Sequence, residues 1–359
     1  MSTLARRWRF VRSTDLIPFL SGALDFALSE TAALGSACSL RLPRLQVNVK
    51  TRNQPYAELV RNRLCSDSPS LGQGSGIVVA VLSPGDSSIP EPPAWGEAVF
   101  NPRQFEKRLE ETQFRASYFH DCRLWQIYDC ERRFGLQWMA GSNNYPDWEP
   151  GAPLRAFLHW AYLAEDMRLA HAGTLGKGGY GVLLVGKGGS GKSGTVSGGL
   201  VGGLQSVGDD YVLIERLGNQ FNVYPLFRKL KQDRQGLDRL GLGADIVGTR
   251  ASNWQGKFEF DSEEISGQSL AANLNLRAIV IPKISGTTRS AFSAIPKHRA
   301  MLALAPTGLF QLPGERDSGV KFFADLVRNL PCFELALSVD PVDITQALEA
   351  FIDRGCRCD

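Results

Sequence analysis

Gly186-Lys-Gly-Gly-Ser-Gly-Lys-Ser193 fits the pattern G-x-x-x-x-G-K-[ST], a loop that cradles phosphates. The apolar run Tyr180-Gly-Val-Leu-Leu-Val185 precedes it and reads as a buried strand, and a helix to about Val201 follows. Strand, glycine-rich turn and helix start together aim backbone N–H groups and a helix N-terminus at a polyphosphate. Gly186, Gly188, Gly189 and Gly191 let the backbone curl because no Cβ obstructs it. Lys192 is expected to reach the β- and γ-phosphates and the Ser193 hydroxyl to ligate Mg²⁺. The nucleotide contacts are therefore assigned to Gly186, Gly188, Gly189, Ser190, Gly191, Lys192, Ser193 and Gly194, with ATP and Mg²⁺ as cofactors. A glycine-rich turn that binds nothing is the plainer alternative; agreement at every fixed position and on both flanks weighs against it.

Working outward, Pro153 suits a first helical turn, and Leu154, Phe157, Leu158, Ala161, Tyr162 and Leu169 give an apolar stripe to about Ala170. His159 inside that helix reads as a packed or exposed histidine. A strand is expected from His171, then a tight turn at Gly176–Gly179. Beyond the loop, Gln205–Glu215 reads as a strand carrying Asp209-Asp210, with Asn222–Tyr224 beside it. Arg277–Pro282 and Cys332–Val339 read as further strands, and Lys297–Leu304, Gly319–Asn329 and Val342–Ile352 as helices. Strands interleaved with helices imply an α/β nucleotide-binding domain over 151–359.

Residues 1–150 read as a β-rich α+β domain with a substrate-recognition or regulatory role. Leu40–Lys50, Gly76–Leu82, Ser117–Tyr128 and Arg132–Met139 are the expected strands, and Ala57–Leu64 and Pro102–Glu111 the expected short helices. The proline-rich stretch Ser83–Pro93 reads as a loop. His120, Asp121 and Cys122 adjoin, but neighbours on a strand face opposite ways and cannot converge on one ion. The turn-rich Gly141–Gly151 marks the domain boundary.

The chain has 359 residues, 43% apolar and 21% charged, with a net charge of +3. That balance calls for neither nucleic acid nor an acidic membrane as partner, and no apolar run approaches a bilayer span. Arg6, Arg7, Arg9 and Arg12 give a basic start without a secretory apolar stretch after it. The seven cysteines form no C-x-x-C pair, so no zinc or dithiol site is signalled, and reduced thiols in a cytoplasmic protein are expected.

Phosphoryl transfer needs a cradle, a metal and a group that orients or deprotonates the acceptor. Asp209 and Asp210 sit one helix after the loop, where a metal-facing acid is expected; on a strand they would face oppositely and take different roles. His171-Ala-Gly, the loop, and Val207-Gly-Asp-Asp-Tyr-Val-Leu213 together resemble the catalytic domain of HPr kinase/phosphorylase and related kinases, whose core is similar to that of phosphoenolpyruvate carboxykinase. The resemblance implies Asp209 as the base toward a serine hydroxyl, Asp210 as its active-site neighbour at the metal with Ser193, and His171 in the phosphate pocket. It covers mainly 154–215. Asp238–Gly243 is only a faint echo of the segment tied to phosphorolysis, and residues 1–150 do not match the regulatory domain of the classical enzyme.

Two oddities remain. Gly194, Gly198, Gly199, Gly202 and Gly203 crowd the helix after the loop, each costing about 0.5–1 kcal/mol relative to alanine; they signal either close packing or a helix ordered by nucleotide. The basic run through Arg228, Lys229, Lys231, Arg234 and Arg239 is either a solvated face or a holder of phosphate or of an acidic peptide. The expected activity is an ATP-dependent serine kinase acting on a peptide or small protein, for which a ribosomal peptide precursor is one candidate, in a chain that can form homo-oligomers. The competing expectation is a nucleotide-binding regulatory or scaffold protein with little kinase activity.

Overall fold

The computed structural model describes residues 9–66, 75–85, 89–248, 250–308, 311–314 and 316–358. Arg6 and Arg7 of the basic start, and part of the Ser83–Pro93 loop, lie outside the described residues. The chain is mixed α/β with several sheets, and it divides into two units: Met1–Glu165 with Leu312–Glu315, and Asp166–Gln311 with Arg316–Asp359.

The first unit carries β1 (Phe10–Val11), α1 (Leu16–Thr31), β2 (Ser36–Leu42), β3 (Leu45–Lys50), α2 (Gln54–Arg63), β4 (Ser75–Leu82), β5 (Ala94–Trp95), α3 (Pro102–Lys107), β6 (Phe114–Phe119), β7 (Leu124–Asp129), β8 (Phe134–Trp138) and α4 (Arg155–Leu163). Six strands form one sheet in the order β2-β3-β4-β8-β7-β6, parallel at β3–β4 and β4–β8 and antiparallel elsewhere. Helix α1 buries Leu16, Phe19, Leu20, Ala23, Leu24 and Ala27, a 3.6-residue stripe, over β4, β7 and β8. That stripe meets an aromatic core in which Phe19 lies edge-on to Trp125 at 4.8 Å. The expected strands at 40–50 and 117–128 are each hairpins, turning at Pro43-Arg44 and at His120–Arg123. His120, Asp121 and Cys122 therefore lie in a turn rather than on a strand. The helix expected to run to about Ala170 stops at Leu163.

The second unit holds β9 (Met167–His171), β10 (Gly173–Lys177), β11 (Tyr180–Leu184), α5 (Lys192–Val201), β12 (Tyr211–Leu217), β13 (Gln220–Pro225), β14 (Leu230–Asp233), α6 (Arg234–Arg239), α7 (Gly243–Val247), β15 (Lys257–Phe260), α8 (Ser262–Ser266), β16 (Leu274–Thr287), β17 (Ala291–Ala294), α9 (Lys297–Gly308), α10 (Arg316–Asn329), β18 (Cys332–Ser338) and α11 (Pro341–Asp353). Eight strands make its sheet, in the order β10-β11-β16-β13-β12-β9, with β18 on β16 and β17 on β18. Strand β11 runs parallel to β16, and β16 parallel to β18. The period of two explains why the run before the loop is apolar throughout. Leu183 and Val185 join one core with Ala300, Leu304, Phe322 and Leu326, whereas Val182 and Leu184 join another with Val196, Leu200, Leu348 and Phe351. Helices thus cover both faces, and the loop leaves the carboxyl end of a buried strand, where open α/β sheets place ligands.

Helix α5 tolerates its glycines because two of them are packing contacts. A Cβ on Gly199 would fall 2.5 Å from Leu175 Cδ2, and one on Gly202 2.4 Å from Thr345 Cγ2. The bare face lets α5 sit close against β10 and α11.

Candidate functional site

The loop from Gly186 to Gly191 bends back over the start of α5. Gly191 caps α5 with φ +99°, and a Cβ there would lie 2.5 Å from Leu337 Cδ1, so a side chain is excluded both by conformation and by space. The first backbone bond of α5 runs from the Thr195 N–H to the Gly191 carbonyl, 2.9 Å. The N–H groups ahead of it have no carbonyl within the helix and face the loop, at the positive end of the helix dipole. Lys192 is buried, and its ammonium donates to the carbonyls of Gly186 at 2.5 Å and Lys187 at 3.2 Å. Burial lowers its pKa from the ordinary lysine value.

Asp209 and Asp210 lie in a bend just before β12, not on the strand itself. The bend is held from below. Thr174 Oγ1 accepts from the Val207 N–H at 2.9 Å, Ser206 Oγ accepts from the Gly208 N–H at 3.0 Å, and the two hydroxyls pair at 3.1 Å. The Thr174 and Ala172 N–H groups donate to the carbonyls of Gly208 and Asp210. These ties send the two acids in different directions.

Asp209 is buried, and Ser193 of the loop is close enough to favour its ionised form. Burial pushes its pKa up to about 7, against the opposing pull of Ser193, Lys257 and Lys192. Its Oδ1 is buried without a hydrogen-bond partner, as is Ser190 Oγ. Asp210 meets His171 Nε2 at 3.0 Å and Lys231 Nζ at 2.6 Å. Burial opposes its charge, but Lys231 and His171 outweigh that and hold the carboxyl well below the usual aspartate value. The His171 ring stacks on Tyr211, its cross-strand partner, with centroids 5.3 Å apart. Two adjacent carboxyls with pKa values driven apart are the arrangement that lets one exchange a proton while the other stays ionised.

The chain therefore gathers Gly186, Gly191, Lys192, Ser193, Asp209, Asp210 and His171 at one end of the second unit's sheet. Ser193 lies near Asp209, whereas Asp210 is joined to His171 and Lys231. Lys231 was only one member of a charged run in the sequence. Strand β14 delivers it, and its pairing with Asp210 cannot be read from local spacing. Within that run Lys229 pairs with Asp261 and Arg234 with Asp238, and farther along Arg250 pairs with Glu264. Asp238 is thus an exposed surface partner of Arg234.

Among the described residues, no group of three or more His, Cys, Asp or Glu side chains is placed to hold a metal ion by itself. The donors that are present suit Mg²⁺, which takes one or two protein oxygens and fills the rest of its shell with water and phosphate. The Ser193 hydroxyl and the partnerless Asp209 Oδ1 are such oxygens. No described helix is long and apolar enough to cross a membrane.

No protein-family profile matches the chain, and no curated protein sequence matches it either. Among solved structures, the HPr(Ser) kinase/phosphatase from Coxiella burnetii is similar at 13% identity with a TM-score of 0.27, covering 52% of this chain and 97% of that one. A likeness this slight establishes neither fold type nor activity, and the site stands on its own geometry.

Proposed function

We propose that the second unit is an ATP-dependent kinase domain of the HPr-kinase-like P-loop type, which transfers the γ-phosphoryl group to a hydroxyl of a peptide or small protein. The observation that carries this reading is the phosphate loop, with Gly191 capping its helix and Lys192 turned into it, standing beside the buried Asp209 and an Asp210 held by His171 and Lys231. The loop N–H groups and Lys192 hold the β- and γ-phosphates; Lys192 leaves the Gly186 and Lys187 carbonyls to do so. Ser193 would hold Mg²⁺, whereas Asp210, expected beside it at the metal, is instead engaged by His171 and Lys231. The ion supplies charge neutralisation between the β- and γ-oxygens when it is bound. Asp209 accepts the proton of the attacking hydroxyl, a task suited to a carboxyl whose pKa lies near the working pH. His171 and Lys231 fix Asp210 and keep it ionised.

The closeness of Ser193 to Asp209, whose Oδ1 has no partner, also favours a second assignment, in which Asp209 serves the metal and Asp210, with His171, faces the acceptor. Binding and transfer by Asp209→Asn and Asp210→Asn separate the two. If Asp209 is the base, its asparagine variant binds Mg·ATP almost as wild type does but transfers no phosphate from labelled ATP to candidate peptides. If it serves the metal, the same variant loses Mg²⁺-dependent ATP affinity. Wild-type turnover in both variants would sink both assignments of the acids, whereas wild-type protein that binds ATP but yields no phosphopeptide would favour a nucleotide-binding scaffold over a kinase.

A further inference from the structure

Among the described residues, one ammonium of the β14–β15 ribbon is held in no ion pair. Lys257 opens β15, which pairs antiparallel with β14 so that Asp233 faces Lys257 and Lys231 faces Glu259. Directly opposed residues of an antiparallel pair project to one side, and alternate residues along a strand share it. Lys231 and Lys257 therefore share a face of this ribbon, and from that face Lys231 reaches Asp210.

The start of β15 is held in place. The Asn253 N–H donates to the Lys257 carbonyl at 2.8 Å, and Asn253 Oδ1 accepts from the N–H groups of Gln255 at 3.0 Å and Lys257 at 3.1 Å. The position of the Lys257 charge is felt at both key groups of the site. It favours the ionised form of Asp209 and opposes the charge on Lys192. The other lysines and arginines of this region that pair with acids are Lys229, Lys231, Arg234 and Arg250; no ion pair holds Lys257 among the described residues.

Lys257 and Lys192 thus both act on Asp209. Lys192 is the one that the loop motif assigns to the β- and γ-phosphates. Mutual repulsion in a half-buried site is relieved when an anion lies between the two charges. Resting on the nucleotide reading above, we propose that Lys257 binds the terminal phosphate of a nucleoside triphosphate seated on the loop, so that the site distinguishes a triphosphate from a diphosphate. The β14–β15 ribbon then does for the γ-phosphate what the loop does for the rest of the chain of phosphates.

Calorimetric titration with ATP and with ADP, both with Mg²⁺, tests this on wild-type protein, Lys257→Ala and Lys257→Arg. Wild type is expected to bind ATP more tightly than ADP. Because a hydrogen bond to a charged group contributes about 1.5–3 kcal/mol, Lys257→Ala should weaken ATP roughly 10- to 100-fold. It should leave ADP within about twofold, and Lys257→Arg should recover most of the loss. The unchanged ADP affinity also shows that the variant is folded. Equal weakening of ATP and ADP, or no weakening of either, overturns the proposal. Wild-type protein that binds neither nucleotide overturns the loop reading itself, and that failure is seen before any substitution is made.

Discussion

Glu149 in the first unit and Asp209 in the second are both fully enclosed carboxyls, and burial pushes both pKa values up. Each also keeps one oxygen without a hydrogen-bond partner, Oε2 and Oδ1 respectively. Neither burial nor an orphaned oxygen, then, separates a functional acid from a structural one. The neighbours do. Glu149 accepts from the Tyr56 hydroxyl at 2.6 Å and from the Leu154 N–H at 3.1 Å. Tyr56 is itself buried, with its N–H tied to Asn53, and Leu154 holds the left-handed turn, φ 59°, that begins α4. Every group around Glu149 is fixed by the fold it stabilises. Asp209 lies near Ser193 of the phosphate loop and sits within the field of Lys192, Lys257 and Asp210. It is surrounded by groups whose charges only a bound anion and cation would balance.

The sharpest way to break this contrast is to neutralise both acids. Asp209→Asn should lower phosphoryl transfer from labelled ATP by roughly 10²–10⁴-fold, the usual worth of a positioned acid–base group. Its melting temperature should be unchanged or raised, because a buried charge has been removed. Glu149→Gln should leave ATP binding as it is. If Asp209→Asn instead lost fold and activity together, Asp209 would be a second Glu149, and the contrast would fail.

A smaller effect is expected from truncating Glu149. Glu149→Ala strips the acceptor from two buried donors, the Tyr56 hydroxyl and the Leu154 N–H, each costing about 1–3 kcal/mol when left unmade. The urea midpoint should drop accordingly, whereas Glu149→Gln, which keeps an acceptor oxygen, should lose far less. Equal losses would mean that volume rather than hydrogen bonding explains the site. The glycines of α5 offer the matching test beside the loop. Gly199→Ala drives a methyl into Leu175 and should cost about 1–3 kcal/mol. Gly198→Ala has no atom nearer than 3.6 Å and should gain up to about 1 kcal/mol from helix propensity. Similar values for the two would show that α5 is not held by close packing.

How much of this was legible in the sequence depended on whether the signal was local. The loop, its buried strand and the helix after it are contiguous, and their bounds fall within a residue or so of the expected ones. The stripe Leu16, Phe19, Leu20, Ala23, Leu24 and Ala27 is as regular as any in the chain, yet the sequence reading passed over it, drawn to the arginines before it. The hairpin turns at 43–44 and 120–123 were missed for a physical reason. They place Arg44 at φ 54° and Arg123 at φ 45°, where glycine or asparagine is the usual marker. Asp209-Asp210 was expected on a strand. Braced by Thr174 and Ser206, it lies in a bend instead, and the acids diverge because their partners differ rather than because of strand pleat. Lys231 was a candidate for holding phosphate or an acidic peptide, but its partner Asp210 and its neighbour Lys257 could not be read from the sequence, since they meet only through the β14–β15 pairing.

The smallest predicted effect is the pH dependence of the first unit's acid, and it tests the comparison without touching activity. Glu149 has a raised pKa in the folded chain, caused first by burial and only partly offset by the Tyr56 and Leu154 hydrogen bonds. The folded state therefore holds the proton more tightly than the unfolded chain, where the group titrates near its ordinary value of 4.5. The stabilisation from protonated Glu149 is fully present below that value and is lost as pH rises through the higher, folded pKa. Glu149→Gln is neutral at every pH and escapes this loss. Urea titrations from about pH 4 to pH 8 should show the stability difference steady at the acid end. It should then shift in favour of Glu149→Gln as pH rises above the unfolded value, and level off beyond the folded one. A difference that stays flat over the whole range would mean that the Tyr56 and Leu154 donors keep Glu149 ionised as readily in the fold as in water. Burial would then carry less electrostatic weight in the first unit than beside the phosphate loop.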